Sequence, residues 1–276
     1  MKRFEAILSS TTIDAHGEMM SRGALVSAAA ALQRNYISMG IEHDPRNPPI
    51  GRITDAWVED LDNGISIIKG VGELFEPGDA LPTRVDKRIV EHEYVGDHLV
   101  VGYDRTYDTR EDLADINAIG DRFGSKPQLE IKKAVEPLSV LTIDGAFIFG
   151  AIAAGFFGQI GADAYLWLKD RLVSLIERQK AKSKEQLLVF EFSVTIDSHR
   201  VLVQTILPNP TADDIEAFLE TAIYKLDRIP RDWLEPVHYL SRLVYFFQKN
   251  TLTFEYAVRT DGFPVVKETR CIMSED

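Results

Sequence analysis

Six histidines and one cysteine are the obvious candidates for acid–base, nucleophilic or metal chemistry in this 276-residue chain. His92 and His98 lie among Glu91, Glu93 and Asp97, and imidazole with carboxylate can hold zinc. Their spacing fits no established ligand pattern, so a solvated acidic loop is the plainer reading. His16, His199 and His238 read as turn or surface residues. Cys271 is alone, which excludes an internal disulfide framework and a cysteine-rich zinc site. No Walker loop, Rossmann glycine fingerprint or HExxH pair occurs. The expectation is therefore a chain with no cofactor and no metal. That leaves His43, between Glu42 and Asp44 at the end of an apolar segment.

Chemistry at His43 depends on the elements that would carry it. The first half reads as mixed α and β. Phe4–Ser10, Tyr36–His43 and Ile50–Glu59 read as strands, and Ala24–Asn35 as an alanine-rich helix. Asp62-Asn63-Gly64 predicts a turn, with Ile65–Leu74 as the return strand. Ala80–His92 reads as a helix, His98–Tyr107 as a strand, and Leu129–Ile143 as one or two more. In the last ninety residues, Leu187–Ile196 and Val201–Leu207 predict a hairpin. Thr211 can cap a helix to about Leu226, with Asp213 and Asp214 in its first turn. Val237–Lys249 reads as a second helix, with Leu240, Leu243, Val244 and Phe247 on one face. Thr251–Arg259 and Pro264–Arg270 predict a hairpin across Asp261-Gly262. The fold class expected is α+β: a mixed β-barrel or sheet with helices, a glycine-rich connecting helix, and a small ββααββ domain. The boundaries expected are 1–143, 144–184 and 185–276.

Composition narrows the function classes. Apolar residues make up 45% and charged residues 27%, as in folded globular chains rather than disordered or fibrous ones. The net charge of −12 argues against binding to a phosphate backbone, which needs a basic face. The opening residues carry acids early and lack an apolar stretch of signal-peptide character. With one cysteine, a reducing cytoplasmic setting is the expectation.

Three segments recur together in one family. Thr12-Ile13-Asp14-Ala15-His16-Gly17-Glu18 precedes an apolar helix, Glu42-His43-Asp44 precedes Pro49-Ile50-Gly51-Arg52, and a hairpin follows at Asp62-Asn63-Gly64. In order and spacing, residues 1–143 resemble the prohead (capsid maturation) serine proteases of tailed bacteriophages, which share their fold with herpesvirus assemblin. The resemblance implies a serine–histidine–acid triad, with His43 at the histidine position. The family's serine strand aligns with Leu99-Val100-Val101-Gly102-Tyr103, so its nucleophile position falls on Val100. Valine has no lone pair to attack a carbonyl. The acidic strand aligns with Val135–Val140: an ungapped match places Pro137 at the acid, and a one-residue bulge restores Glu136. The resemblance thus implies a protease domain with a decayed active site. If the register is displaced, Ser66, Thr106 or Ser139 would have to serve, Ser139 being on a predicted strand. The bland alternative is turn and strand chemistry alone, with Gly51 relieving crowding.

The run Gly145–Ala162 contains no charge, and small residues recur every fourth position at Ala146, Gly150, Ala154, Gly158 and Ala162. On a helix this makes a side-chain-poor ridge suited to close helix pairing. Three readings compete: a core or self-association helix, a membrane span, and an interfacial helix with Tyr165, Trp167, Lys169 and Arg171 at the headgroups. Residues 163–184 read as a charged helix and linker. The leading expectation is a non-catalytic adaptor or scaffold that binds protein or peptide and forms a homo-oligomer, in a phage-derived or phage-defence setting. The rivals are an active serine endopeptidase and a membrane-associated effector touching lipid through 145–168.

Overall fold

The computed structural model describes residues 2–12, 20–34, 37–39, 46–75, 98–129, 138–146, 152–182, 185–196, 199–226, 240–265 and 270–273. The fold is mixed α+β, with four α-helices and two sheets among the described residues. These residues form two compact units. The first draws on residues within 1–41, 47–91 and 258–265; the second on Arg46 and on residues within 92–257 and 266–276.

The first unit holds β1 (Lys2–Ser10), α1 (Arg22–Arg34), β2 (Ile37–Met39), β3 (Gly51–Asp60) and β4 (Ser66–Leu74). Its four strands are antiparallel in the order β1-β4-β3-β2. The expected turn is present: Gly64 has φ +78°, and Leu61 N–H donates to the Ile65 carbonyl at 2.8 Å. Positive φ costs glycine little, so the hairpin closes in the register that pairs Asp60 with Ser66. The alanines of α1 let it lie close to the sheet. Leu25 and Ala29 are buried against Ala56 and Ile68, with Leu8, Leu32 and Val58 packed around them. Gly51 does relieve crowding, since a Cβ there would sit 2.6 Å from the Glu73 carbonyl oxygen.

The second unit begins with β5 (His98–Tyr103), α2 (Arg110–Arg122), β6 (Gln128–Leu129), β7 (Leu138–Ala146) and α3 (Ile152–Lys180). It continues through β8 (Glu185–Ile196), β9 (His199–Pro208), α4 (Ala212–Glu220) and a 3-10 turn at Ala222–Lys225. Last come β10 (Leu240–Gln248), β11 (Thr251–Arg259), whose final two residues fall in the first unit, β12 (Pro264–Val265), which falls there too, and β13 (Arg270–Met273). The strands run β12-β11-β10-β9-β8-β7-β5-β6, with β13 on β11. β8 and β9 pair antiparallel, whereas β7–β8 and β9–β10 are parallel and are joined across α3 and α4. Parallel neighbours need such crossovers, so the order of elements follows from the pairing. Phe190, Phe218 and Phe247 carry the core between sheet and α4, with centroids 4.6 and 5.6 Å apart.

Four expectations change. Residues 240–248 are a strand, not a helix. The spacing of Leu240, Leu243, Val244 and Phe247 suits a helix, but the run LVYFF is buried on both faces of a central strand, where a continuous apolar stretch serves equally well. The small C-terminal domain is therefore not ββααββ, and its first two strands extend the sheet that holds β5 and β7. The boundary expected at 143/144 falls inside β7. The small-residue ridge is also divided: Ala146 lies on β7 while Ala154, Gly158 and Ala162 lie on α3, and Gly150 is outside the described residues. α3 runs on to Lys180, in keeping with the helix expected from residue 163, and buries Leu168, Leu172, Leu175 and Ile176. No described helix is long and apolar enough to cross a membrane. The helix expected at Ala80–His92 lies outside the described residues.

Candidate functional site

Of the three expected triad positions, the structure describes one. Val100 is on β5, half-buried. His43 and Glu136 lie outside the described residues, as does His92. Val100 stands opposite Asp144 in the β5–β7 ladder, Asp144 is beside Glu191, Glu191 is opposite Gln204, and Gln204 is beside Val244. Directly paired residues share a face, so these five form one row across the sheet. Gln204 is 4% exposed, and its Nε2 donates to Glu191 Oε1 at 2.5 Å. The row beside it (Gly102, Thr142, Val189 and Ile206) is buried throughout. Val100 thus shares its row with two half-buried acids, Asp144 and Glu191.

The alternative hydroxyls are all occupied. Ser66 Oγ donates to Asp60 Oδ1 at 2.6 Å. Asp60, also held by Arg22 and drawn down mainly by that contact, titrates at about 2. Ser139 Oγ donates to Thr106 Oγ1 at 2.7 Å, and Thr106 Oγ1 donates to Asp104 Oδ1 at 2.5 Å. The local sequence explains this chain. Where β5 ends, Asp104 turns its carboxylate back, accepting Thr106 N–H at 2.9 Å and Val140 N–H at 2.5 Å. This is an Asx turn that also completes the ladder to β7. Ser139 is fully buried, so a peptide carbonyl cannot reach it. Its hydroxyl meets another hydroxyl, not an imidazole.

A second set of charges joins this loop to α3. Thr109 caps α2, accepting Asp112 N–H at 3.1 Å. Asp112 is fully buried and accepts from Arg178 Nε at 2.7 Å, Gln179 Nε2 at 3.0 Å and Lys182 Nζ at 3.1 Å. Asp115 accepts from Arg178 Nη2 at 2.6 Å and from Arg171. Burial is the largest single influence on Asp112 and opposes its charge. The bonds from Thr109, Arg178 and Lys182 together outweigh it, and its pKa lies below the usual carboxylate value. Tyr107 is buried beside these acids, and burial first, then Asp104 and Asp112, push its phenol well up, so it stays neutral. With acids and cations mutually paired, this network clamps α2 onto α3. Among the described residues no group of three His, Cys, Asp or Glu is placed to hold a metal.

The sequence reading passed over α2 and both acidic clusters. Thr109-Arg110-Glu111-Asp112 is a legible helix start, and Asp104-Arg105-Thr106 a legible Asx turn. The row through Asp144, Glu191 and Gln204 had no such local signal, because only strand register assembles it. In comparisons with protein-family models, curated proteins and solved structures, nothing matches this chain, so its function has to be read from its own residues.

Proposed function

We propose that the chain is a non-catalytic, protease-like adaptor or scaffold that binds a protein or peptide segment and self-associates. The observation that carries this reading is Val100, a hydrocarbon at the position where the resembled family has its nucleophile. The hydroxyls that could replace it support the same reading: Ser66, Thr106 and Ser139 are each engaged with a carboxylate or a further hydroxyl. Loss of the nucleophile in a serine peptidase costs about six orders of magnitude in turnover. A fold of this kind can still hold an extended segment as an added strand through main-chain hydrogen bonds. β1 supports that use: its only partner among the described strands is β4, and Ile7 on it is 63% exposed. The phage-derived or phage-defence setting rests on the resemblance of residues 1–143.

A fluorophosphonate probe tests the proposal. The purified chain is expected to remain unlabelled. Labelling that is lost in His43→Ala but retained in Val100→Ala would establish a working serine peptidase and overturn the adaptor.

A further inference from the structure

We propose that β1 of one chain pairs antiparallel with β1 of a second copy, joining two four-stranded sheets into one across a twofold axis at Phe4. This rests on the self-association in the adaptor reading and names the surface that performs it. Lys2–Ser10 is a sheet edge: β4 lies on one side of it, and no strand lies on the other among the described residues. An edge of nine residues presents a row of main-chain donors and acceptors to an incoming strand. The opposite edge, β2, has three residues, and a short edge resists such pairing.

Charge decides the occupant. Along β1 the order is Lys2-Arg3-Phe4-Glu5, basic first and acidic after. Antiparallel pairing about an axis through Phe4 sets Arg3 opposite Glu5 on both sides of the axis, and Phe4 opposite its own copy. Residues directly opposite share a face, where unlike charges stabilise a ladder and like charges destabilise it. The Arg3 and Glu5 side chains are 77% and 57% exposed, and their contacts within the chain are long, 3.9 Å to Glu73 and 3.7 Å to Lys69. Exposed pairs of that length hold little, so both side chains are able to turn to a second copy. Ile7, 63% exposed, comes diagonal to the Arg3 of the second copy, whose aliphatic stem covers it.

The strand itself selects this register. An axis at Glu5 would set Glu5 against Glu5. An axis at Ala6 or beyond would draw Leu8 and Ser9 into the new ladder, and the β1–β4 register shifts between Ile7 and Ser9. A shift of that kind bends a strand and interrupts regular pairing, so the regular edge is Lys2–Ile7. The contact uses the same surface on both chains and therefore closes at two copies.

Sedimentation equilibrium of the full chain tests this. A single edge ladder is a small interface, so a monomer–dimer equilibrium with Kd between about 10 µM and 1 mM is expected. Arg3→Glu and Glu5→Arg should each weaken the dimer at least about tenfold, because each sets like charges opposite at two places. Mixing the two variants should restore dimers, since each supplies the charge that the other lacks. Both positions are exposed, and circular dichroism confirms that the variants fold. A chain that stays monomeric to about 1 mM overturns the proposal and takes self-association out of the adaptor reading. A dimer that both variants leave unchanged, or that mixing fails to restore, overturns the β1 contact and leaves the adaptor standing. Fluorophosphonate labelling would overturn the adaptor and leave the dimer standing.

Discussion

The second unit contains two acidic clusters, one set between helices and one set across strands. Around Asp112 and Asp115, every carboxylate meets a cation or an amide donor: Arg171, Arg178, Gln179 and Lys182 from α3 and the residues just after it. Asp144 and Glu191 engage other groups of the chain, and Glu191 accepts from the Gln204 amide, whose own oxygen is buried with no hydrogen-bond partner among the described residues. The first cluster joins two helices; the second lies on strands, where the alternation of faces, not a helix-to-helix fit, sets the neighbours. Each cluster leaves one amide oxygen buried without a hydrogen-bond partner among the described residues, Gln179 Oε1 in the first and Gln204 Oε1 in the second. Val100, which the resemblance in sequence aligns with the family's nucleophile, pairs with Asp144 in the strand row and lies outside the helix cluster.

The largest expected effect comes from opening the helix cluster. Asp112→Ala takes the acceptor from buried Gln179 Nε2 and one carboxylate from Arg178 and Lys182, which keep Asp115 and Asp108, and should destabilise the fold by about 2–3 kcal/mol in urea unfolding. Its pH signature has a definite sign. The folded-state pKa of Asp112 is lowered, so its contribution is fully present above the unfolded value near 4 and is lost as pH falls through the folded value. Stability of the unaltered chain should therefore fall on acidification below about pH 4, and Asp112→Asn should flatten that slope. A result in which Asp112→Ala unfolds no more easily would mean that the clamp is ornamental.

A smaller effect is expected at the hydroxyl chain. Ser139→Ala removes one buried hydrogen bond and should cost about 1 kcal/mol, with no change in fluorophosphonate labelling. A cost confined to stability would separate a packing hydroxyl from a catalytic one.

The smallest effect belongs to the strand row. Gln204→Leu deletes the bond to Glu191 but also the unpartnered carbonyl, so its unfolding free energy should stay within about 1 kcal/mol of the unaltered chain. A loss as large as that of Asp112→Ala would erase the distinction between the clusters.

Much of the local structure was legible. Asp62-Asn63-Gly64 and Asp261-Gly262 both make turns, Gly262 with φ +84° and Arg259 N–H bonded to the Phe263 carbonyl. Thr211 caps α4, and Asp214 closes the reciprocal capping box. These are interactions between residues a few positions apart, decided by the chemistry of the residues themselves. Residues 240–248 were misread because an apolar run without strict alternation fits a buried strand and a buried helix alike. α2 carried a readable cap at Thr109, but its low apolar content left little periodicity to notice.

Composition, turn glycines, caps and the hydrocarbon at position 100 are properties of the chain read along its length, and they settled what kinds of residue were available. Tertiary pairing alone decided which of them meet. Asp144, Glu191 and Gln204 share a face because β7, β8 and β9 associate in one register, and a slip of one residue would turn any one of those side chains to the opposite face. Such a register is chosen by contacts summed over whole strands and crossovers, and so no short segment contains it.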